Sequence, residues 1–343
     1  MEKINWGIIG IGNIAQRFSE GFSDVSNSKL LGAASRDPSK LLKFKDQFKI
    51  EENFLFNKYE DLINCKNIDI IYISLPNFLH YEWIIKCIEN KKKVLVEKPA
   101  TLNLDEAKNL EKIIRKNNLF FTEGFMYRYD PQIKKIIELI ENNEIGNLLS
   151  MESSFGVNIL TKKKFIFFEK KRKIDKNSRQ FDKKLGGGCI MDLGCYPSSF
   201  TLLISSLIKN IDYKNFEIIN LKREIGETDV DIDSEAKINF GNKFSSTVKA
   251  SFKKNLGNNT IIRGDKGVMI VNNSFLGIKD LKIILKDKTY EIKNINSGNI
   301  FSHEIESISK SVLSGLNQAS FPGMQIEETL LNMKILEYWK NGK

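Results

Sequence analysis

Short apolar runs alternate with helical patterns over the first 125 residues, the layout of parallel strand-helix-strand units. Residues 5–9, 29–34, 68–74, 93–97 and 120–123 read as strands, and 14–22, 38–48, 80–90 and 104–117 as helices. Beyond Asp130-Pro131 the pattern changes to a helix over 132–142, a strand over 148–156, a polar loop, a Gly-rich turn and a helix over 192–207. From 216 to 292, strand-like alternation such as Ala236-Lys237-Ile238-Asn239-Phe240 is broken by Gly241-Asn242 and Gly257-Asn258-Asn259, which predicts an antiparallel sheet. Helices over 303–315 and 324–339 end the chain. The fold class is α/β, with a doubly wound parallel Rossmann sheet over 1–125 and an α+β domain over 126–343.

Composition narrows the function classes. With 343 residues, 41% hydrophobic and 28% charged, the chain has the material for two globular domains and is not a disordered or fibrous protein. No run approaches the roughly 18 apolar residues of a membrane helix, and Met1-Glu2-Lys3 leads straight into a strand pattern, so a cytoplasmic protein with no membrane partner is expected. Four cysteines without a CxxC pair and only two histidines, His80 and His303, give no metal site and no disulfide framework. The formal charge of +10 comes largely from lysines spread along the chain, without a recognition module or basic-aromatic interleaving, so nucleic acid is not an expected partner.

The candidate chemistry sits at strand ends. Gly10-Ile11-Gly12-Asn13-Ile14-Ala15 joins the first strand to the first helix, where Gly10 permits a tight turn, Gly12 lets backbone approach a pyrophosphate, and the helix N-terminus attracts its charge. The second strand ends in Ser35-Arg36, which favours NADP through its 2′-phosphate, while Asp37 leaves NAD open. Leu75-Pro76-Asn77 and His80 follow the strand over 68–74, as cofactor contacts or as the cap and first turn of a helix. Glu97-Lys98-Pro99 ends the next strand, with Lys98 either an acid/base partner or a solvated lysine. In Gly186-Gly187-Gly188 through Asp192 to Tyr196-Pro197 the glycines permit close backbone approach to a ligand, and Asp192 and Tyr196 stand four apart on one helical face.

Together these motifs, with Glu123 through Arg128 to Asp130-Pro131 and with Asn177-Ser178-Arg179-Gln180-Phe181-Asp182, resemble the Gfo/Idh/MocA family of nicotinamide-dependent oxidoreductases. Tyr196 resembles the branch holding glucose-fructose oxidoreductase, dimeric dihydrodiol dehydrogenase and D-xylose 1-dehydrogenase, which commonly uses NADP. The resemblance implies that the second domain carries an open, mostly antiparallel sheet that joins copies into a homodimer or homotetramer, and that the helix over 324–339 packs on the first domain. It also implies a cis bond before Pro99. Catalysis is implied for Lys98, Tyr196 and Asp192. Cofactor contacts are implied for Gly10, Gly12, Asn13, Ile14, Ser35, Arg36, Leu75, Pro76, Asn77, His80, Glu97, Lys98 and Arg128, and substrate contacts for Lys98, Arg128, Arg179, Asp192 and Tyr196. The implied substrate is a sugar or vicinal diol. Reduction of a nucleotide sugar or other biosynthetic carbonyl stays open, as does a dinucleotide-sensing regulator without catalysis. The basic stretch over 162–184 is either a solvated loop or a means of recruiting an anionic sugar.

Overall fold

The computed structural model describes residues 3–165, 168–295 and 298–342, apart from the side chains of 162–170. In chain order its elements are β1 (Ile4–Ile9), α1 (Asn13–Glu20), β2 (Ser28–Ala34), α2 (Pro38–Phe48), β3 (Leu55–Phe56), α3 (Tyr59–Asn64), β4 (Ile70–Ile73), α4 (His80–Glu89), β5 (Lys93–Glu97), α5 (Leu104–Asn117) and β6 (Phe121–Gly124). Then follow α6 (Pro131–Glu141), β7 (Leu148–Gly156), β8 (Thr161–Phe165), β9 (Phe168–Lys171), α7 (Cys195–Ser206), β10 (Glu217–Ile225), β11 (Asp231–Phe240) and β12 (Phe244–Ser251). The chain ends with β13 (Thr260–Gly264), β14 (Gly267–Asn272), β15 (Asp280–Leu285), β16 (Thr289–Ile292), α8 (Ile300–Leu313) and α9 (Ile326–Asn341). They form two units, Met1–Asp130 with Ser297–Leu330, and Pro131–Asn296 with Leu331–Lys343.

The first unit is built on six parallel strands in the order β3-β2-β1-β4-β5-β6, as expected of a doubly wound sheet. A parallel sheet needs cover on both faces, which is why β4 reads Ile-Ile-Tyr-Ile and is buried throughout. On one face Ile9, Ile71, Ile73, Val94 and Val96 form a core with Trp83 and Ile84 of α4 and Leu110 of α5. On the other, Phe18 of α1 stacks on Tyr72 with ring centroids 3.9 Å apart and meets Phe301 of α8 at 5.9 Å. The short elements β3 and α3 have no counterpart in the sequence reading, because two residues of strand carry no periodicity.

The sequence reading assigned all of 126–343 to the second domain, whereas the chain returns to the first unit over Ser297–Leu330. The cause is the apolar stripe of α8, where Phe301, Ile305, Ile308 and Val312 are buried at helical spacing. Trp6 of β1 donates its indole N–H to Ser309 Oγ at 2.9 Å, fixing α8 beside α1.

The second unit carries eight strands in the order β10-β11-β12-β7-β13-β14-β15-β16. All neighbours are antiparallel except β7 and β12, so the early strand β7 lies in the middle of the later meander. The helix α7 packs on β7 and β12 and is buried from Cys195 to Ser205. Hydroxyls of Ser198, Thr201 and Ser205 bond to carbonyls of Cys195, Pro197 and Leu202 at 3.2, 2.9 and 3.0 Å, and Ser198 and Thr201 also reach Asn332 and Ser246 outside the helix. The stretch read as a polar loop contains the hairpin β8-β9, hidden in the sequence because lysines fill its positions. No helix among the described residues is long and apolar enough to cross a membrane.

If α8 is part of the first unit's core, Ser309→Ala strands the Trp6 indole N–H in a dry interior and costs about 1–3 kcal/mol. Urea unfolding at equilibrium checks this. A lower midpoint at unchanged slope is expected, and a change within the roughly 0.5 kcal/mol of a surface substitution contradicts it.

Candidate active site

Four strand ends of the first sheet carry the residues singled out above. After β1, Gly10 has φ +88°, and a Cβ there stands 2.8 Å from Leu75 Cδ2 and 3.1 Å from the Ser74 carbonyl oxygen, so only glycine passes between β1 and β4. Gly12 caps α1 without any side-chain hydrogen bond, and the first turn of α1 holds no acidic residue. A Cβ added at Gly12 meets nothing within 4 Å, while Asn13 is exposed and Ile14 half-buried beside it. Helix N–H groups facing open space, with the positive end of the helix dipole behind them, fit the pyrophosphate of a dinucleotide.

After β2, Ser35 is buried and its hydroxyl accepts from the Asp37 N–H at 3.1 Å, whereas Arg36 is exposed with its guanidinium 5.9 Å from the Tyr59 ring. Asp37 is already engaged: its carboxylate accepts from the Ser39 N–H at 3.0 Å, the Lys40 N–H at 3.2 Å and the Ser39 hydroxyl at 2.9 Å. The Ser39 hydroxyl and the Lys40 N–H hold its pKa below the usual carboxylate range. The side chain that caps α2 is poorly placed to serve a ribose. Arg36 keeps its charge at the surface.

After β4, Leu75 packs on Gly10, Pro76 is exposed, and Asn77 is buried at the start of the turn into α4. His80 is wholly buried, with Nδ1 2.9 Å from the Pro99 carbonyl oxygen and Nε2 2.7 Å from that of Leu75. This is the setting of the alternative reading, a residue in the first turn of α4. His80 braces the Leu75 turn against the Lys98-Pro99 turn. After β5, Glu97 Oε1 accepts from Tyr72 Oη at 2.5 Å, and the Lys98 N–H faces Glu97 Oε2 at 3.3 Å. The Lys98-Pro99 bond is cis, and Lys98 is half-buried.

Beneath this turn lies a buried polar layer. Glu123 accepts from the Ala100 N–H at 2.9 Å, and burial pushes its pKa up to about 7 against that bond, Thr329, Arg128 and Lys98, which pull it down. Arg128 is buried in the same layer: its guanidinium is 0% exposed and donates to the Pro322 carbonyl at 3.1 Å and to Glu328 Oε1 at 2.9 Å. Burial works against its charge, and Glu328 more than offsets this, so Arg128 is a strut of the first unit. Interior position is a tertiary fact that no motif discloses.

In the second unit the glycine cluster makes a tight turn, but the close approach it permits is to protein. A Cβ at Gly188, φ +115°, stands 2.6 Å from Asp231 Oδ1, and the Asp231 carboxylate accepts from the Ile190 N–H at 2.7 Å. From there Ile190–Gly194 runs as a π-helical turn before α7 begins at Cys195. Asp192 lies in this wider turn and Tyr196 in the first turn of α7, and such bulges recur at functional sites. Two candidate substrate residues of this unit do meet, one from the preceding loop and one from the turn: Arg179 Nη1 is 3.3 Å from Asp192 Oδ1. Tyr196 is nearly buried, its ring held edge-on by Phe155 at 5.3 Å and tilted by Phe275 at 5.3 Å. Phe155 and Phe275 carry no motif, and the sequence reading singled out neither.

Of the basic stretch, the side chains of 162–170 lie outside the described residues, while Arg172, Lys173, Lys176, Lys183 and Lys184 are exposed. Among the described residues no group of three or more His, Cys, Asp or Glu could hold a metal ion.

Comparison with known proteins agrees with this geometry. The family model described as "Oxidoreductase family, NAD-binding Rossmann fold" matches residues 4–125, and the "GFO/IDH/MocA C-terminal domain" matches 133–270. Trans-1,2-dihydrobenzene-1,2-diol dehydrogenase of Xenopus tropicalis is 25% identical over 340 residues, 97% of this chain and 96% of the relative. Two solved structures share the fold. KijD10, a 3-ketoreductase from Actinomadura kijaniata in complex with NADP and TDP-benzene, superposes with TM-score 0.80 at 22% identity, covering 98% of this chain and 97% of that one. Aldose-aldose oxidoreductase from Caulobacter crescentus complexed with glycerol gives TM-score 0.83 at 18% identity, covering 98% and 96%.

The open space over Gly12 makes a separable prediction. Gly12→Val leaves folding stability within about 0.5 kcal/mol, because the protein itself offers no clash, but it fills the place of the phosphate and weakens nicotinamide dinucleotide binding by at least about tenfold. Melting curves and nicotinamide fluorescence titration check the two halves. Equal binding by variant and parent overturns the placement.

Proposed function

The chain belongs to the Gfo/Idh/MocA oxidoreductase family, and from that membership we propose an NADP-dependent enzyme acting on a sugar or vicinal diol. It moves a hydride between the nicotinamide and a hydroxyl-bearing carbon, or the carbonyl formed from it. The observation that carries the reading is the N-terminus of α1, free of side-chain caps and open above Gly12. Arg36, exposed beside Tyr59, takes the 2′-phosphate with Ser35, since the Asp37 carboxylate is spent on the cap of α2. The 3-ketoreductase that shares the fold carries NADP in its structure, which supports the same choice.

A bound nicotinamide supplies the hydride acceptor or donor. Every other step falls to the protein. Tyr196 Oη takes the proton of the substrate hydroxyl as its carbon is oxidised, and returns it when a carbonyl is reduced. Lys98 assists it, the role that the family resemblance implies. Asp192, oriented by Arg179, accepts a hydrogen bond from a second hydroxyl of the substrate. His80 and Arg128 act through what they hold, the Lys98-Pro99 turn and the buried layer beneath it. The relative from Xenopus tropicalis is named for a vicinal diol, in keeping with this substrate class. The eight-stranded sheet is the proposed contact between copies in a homodimer or homotetramer.

A second reading, reduction of a nucleotide-linked sugar, draws on the exposed cations Arg172, Lys173, Lys176, Lys183 and Lys184, close in sequence to Arg179. A preference for sugar phosphates or nucleotide sugars over neutral sugars at low salt would favour it.

Titration with NADPH and NADH, followed by a panel of diols, aldoses and nucleotide sugars, tests the proposal. NADPH is expected to bind more tightly. Tyr196→Phe is expected to lower turnover by roughly 10²–10⁴-fold, the range for a lost acid/base group, with NADPH affinity retained. Unchanged turnover removes Tyr196 from the chemistry, and binding without turnover on the whole panel points to a dinucleotide sensor.

A further inference from the structure

Glu304 sits in the middle of α8, 2% exposed, and its Oε1 has no hydrogen-bond partner among the described residues. An apolar side chain there would avoid the cost of a stranded carboxyl, so the group calls for an explanation. Its surroundings supply one. Gly124 of β6 pairs in register with Glu97 of β5, and a Cβ at Gly124 stands 3.8 Å from Glu304 Oε1. Register partners face the same side of a sheet, so the missing side chain at 124 leaves room for Glu304 on the face where Glu97 projects. Glu97 is the residue whose carboxylate receives the Tyr72 hydroxyl and faces the Lys98 N–H. The titratable groups around this spot are Tyr72 from β4, Glu97 from β5, Tyr129 from the turn after β6 and Glu304 from α8, with Arg128 and Glu328 acting on Tyr129 from behind.

We propose that Glu304 is a positioning residue: in its uncharged form it backs the Glu97 carboxylate, which in turn holds the Lys98 backbone at the end of β5. The proposal rests on the reading of Lys98 as a site residue. Two neighbouring carboxylates repel, which favours the uncharged form of the more deeply buried Glu304. Burial first, and then the charge of Glu97, hold the pKa of Glu304 well above the ordinary carboxyl range. Ionisation of Glu304 sets a second negative charge against Glu97 and displaces the turn that carries Lys98.

Glu304→Gln keeps size and a donor but cannot ionise. A carboxyl whose pKa is higher folded than unfolded keeps its proton in the native state after the unfolded chain has lost it, from about pH 4.3 upward, so stability falls as pH rises through that window. The variant lacks this loss. Its melting temperature relative to wild type is therefore expected to climb from about pH 5 to about pH 9, measured without cofactor or substrate. With a turned-over substrate, the alkaline limb of kcat/KM moves up or disappears in Glu304→Gln and the acid limb stays. Glu304→Leu removes the contact on Glu97 and lowers kcat by about tenfold or more with little change in KM, as for a displaced positioning group.

A melting difference that does not vary with pH overturns the uncharged Glu304, whatever the enzyme acts on. A pH-dependent melting difference with unchanged alkaline limb and unchanged kcat in both variants overturns the link to Lys98. Failure of the functional reading itself shows elsewhere, in Tyr196→Phe, and leaves the melting result standing.

Discussion

A parallel sheet has two apolar faces and tolerates water on neither, and that requirement organises the first unit. The helices α4 and α5 cover one face. On the other, α1 is joined by α8, which arrives from far along the chain and is held by the Trp6 indole, by Phe301 on Phe18 and by Gly21, where a Cβ stands 2.9 Å from Ser302 N. Gly10, Ser35-Arg36, Leu75-Asn77 and Glu97-Lys98 then fall at four neighbouring strand ends, where open α/β sheets bind ligands.

The same closure creates the polar problem that the candidate site uses. Helix α8 brings Glu304 toward Glu97, and the segment before α9 brings the Pro322 carbonyl and Glu328 to Arg128. Two of the buried groups show how such charge is handled: Arg128 is matched by Glu328, and burial pushes the pKa of Glu123 up to about 7. The Lys98 turn therefore rests on a fixed electrostatic floor. Preorganisation of this kind lowers the cost of orienting a charged group during reaction.

What could be read from the sequence follows how local the physics is. The strand-turn-helix around Gly10 and Gly12 was legible because a positive φ and an uncapped helix start are decided within six residues. The helix over 38–48 was legible for the same reason, since Pro38 opens it, whereas its cap by Asp37 was not read. The π turn before Tyr196 was not, since it begins where the carboxylate of Asp231, forty-one residues away, meets the Ile190 N–H. His80 and Arg128 were placed on the cofactor because they lie in motifs, yet motifs record position along the chain and not burial. Glu304 lies in no motif, and only the register of Gly124 against Glu97 exposes its setting.

The central claim is direct passage of hydride between the nicotinamide and a substrate carbon. The most direct measurement follows the label from NADPH deuterated at C4, one stereoisomer at a time, into the alcohol formed from a carbonyl substrate, read by mass spectrometry. The account predicts one deuterium at the carbinol carbon from one stereoisomer and none from the other. Product formed without label from either stereoisomer, or label lost to water, would contradict it.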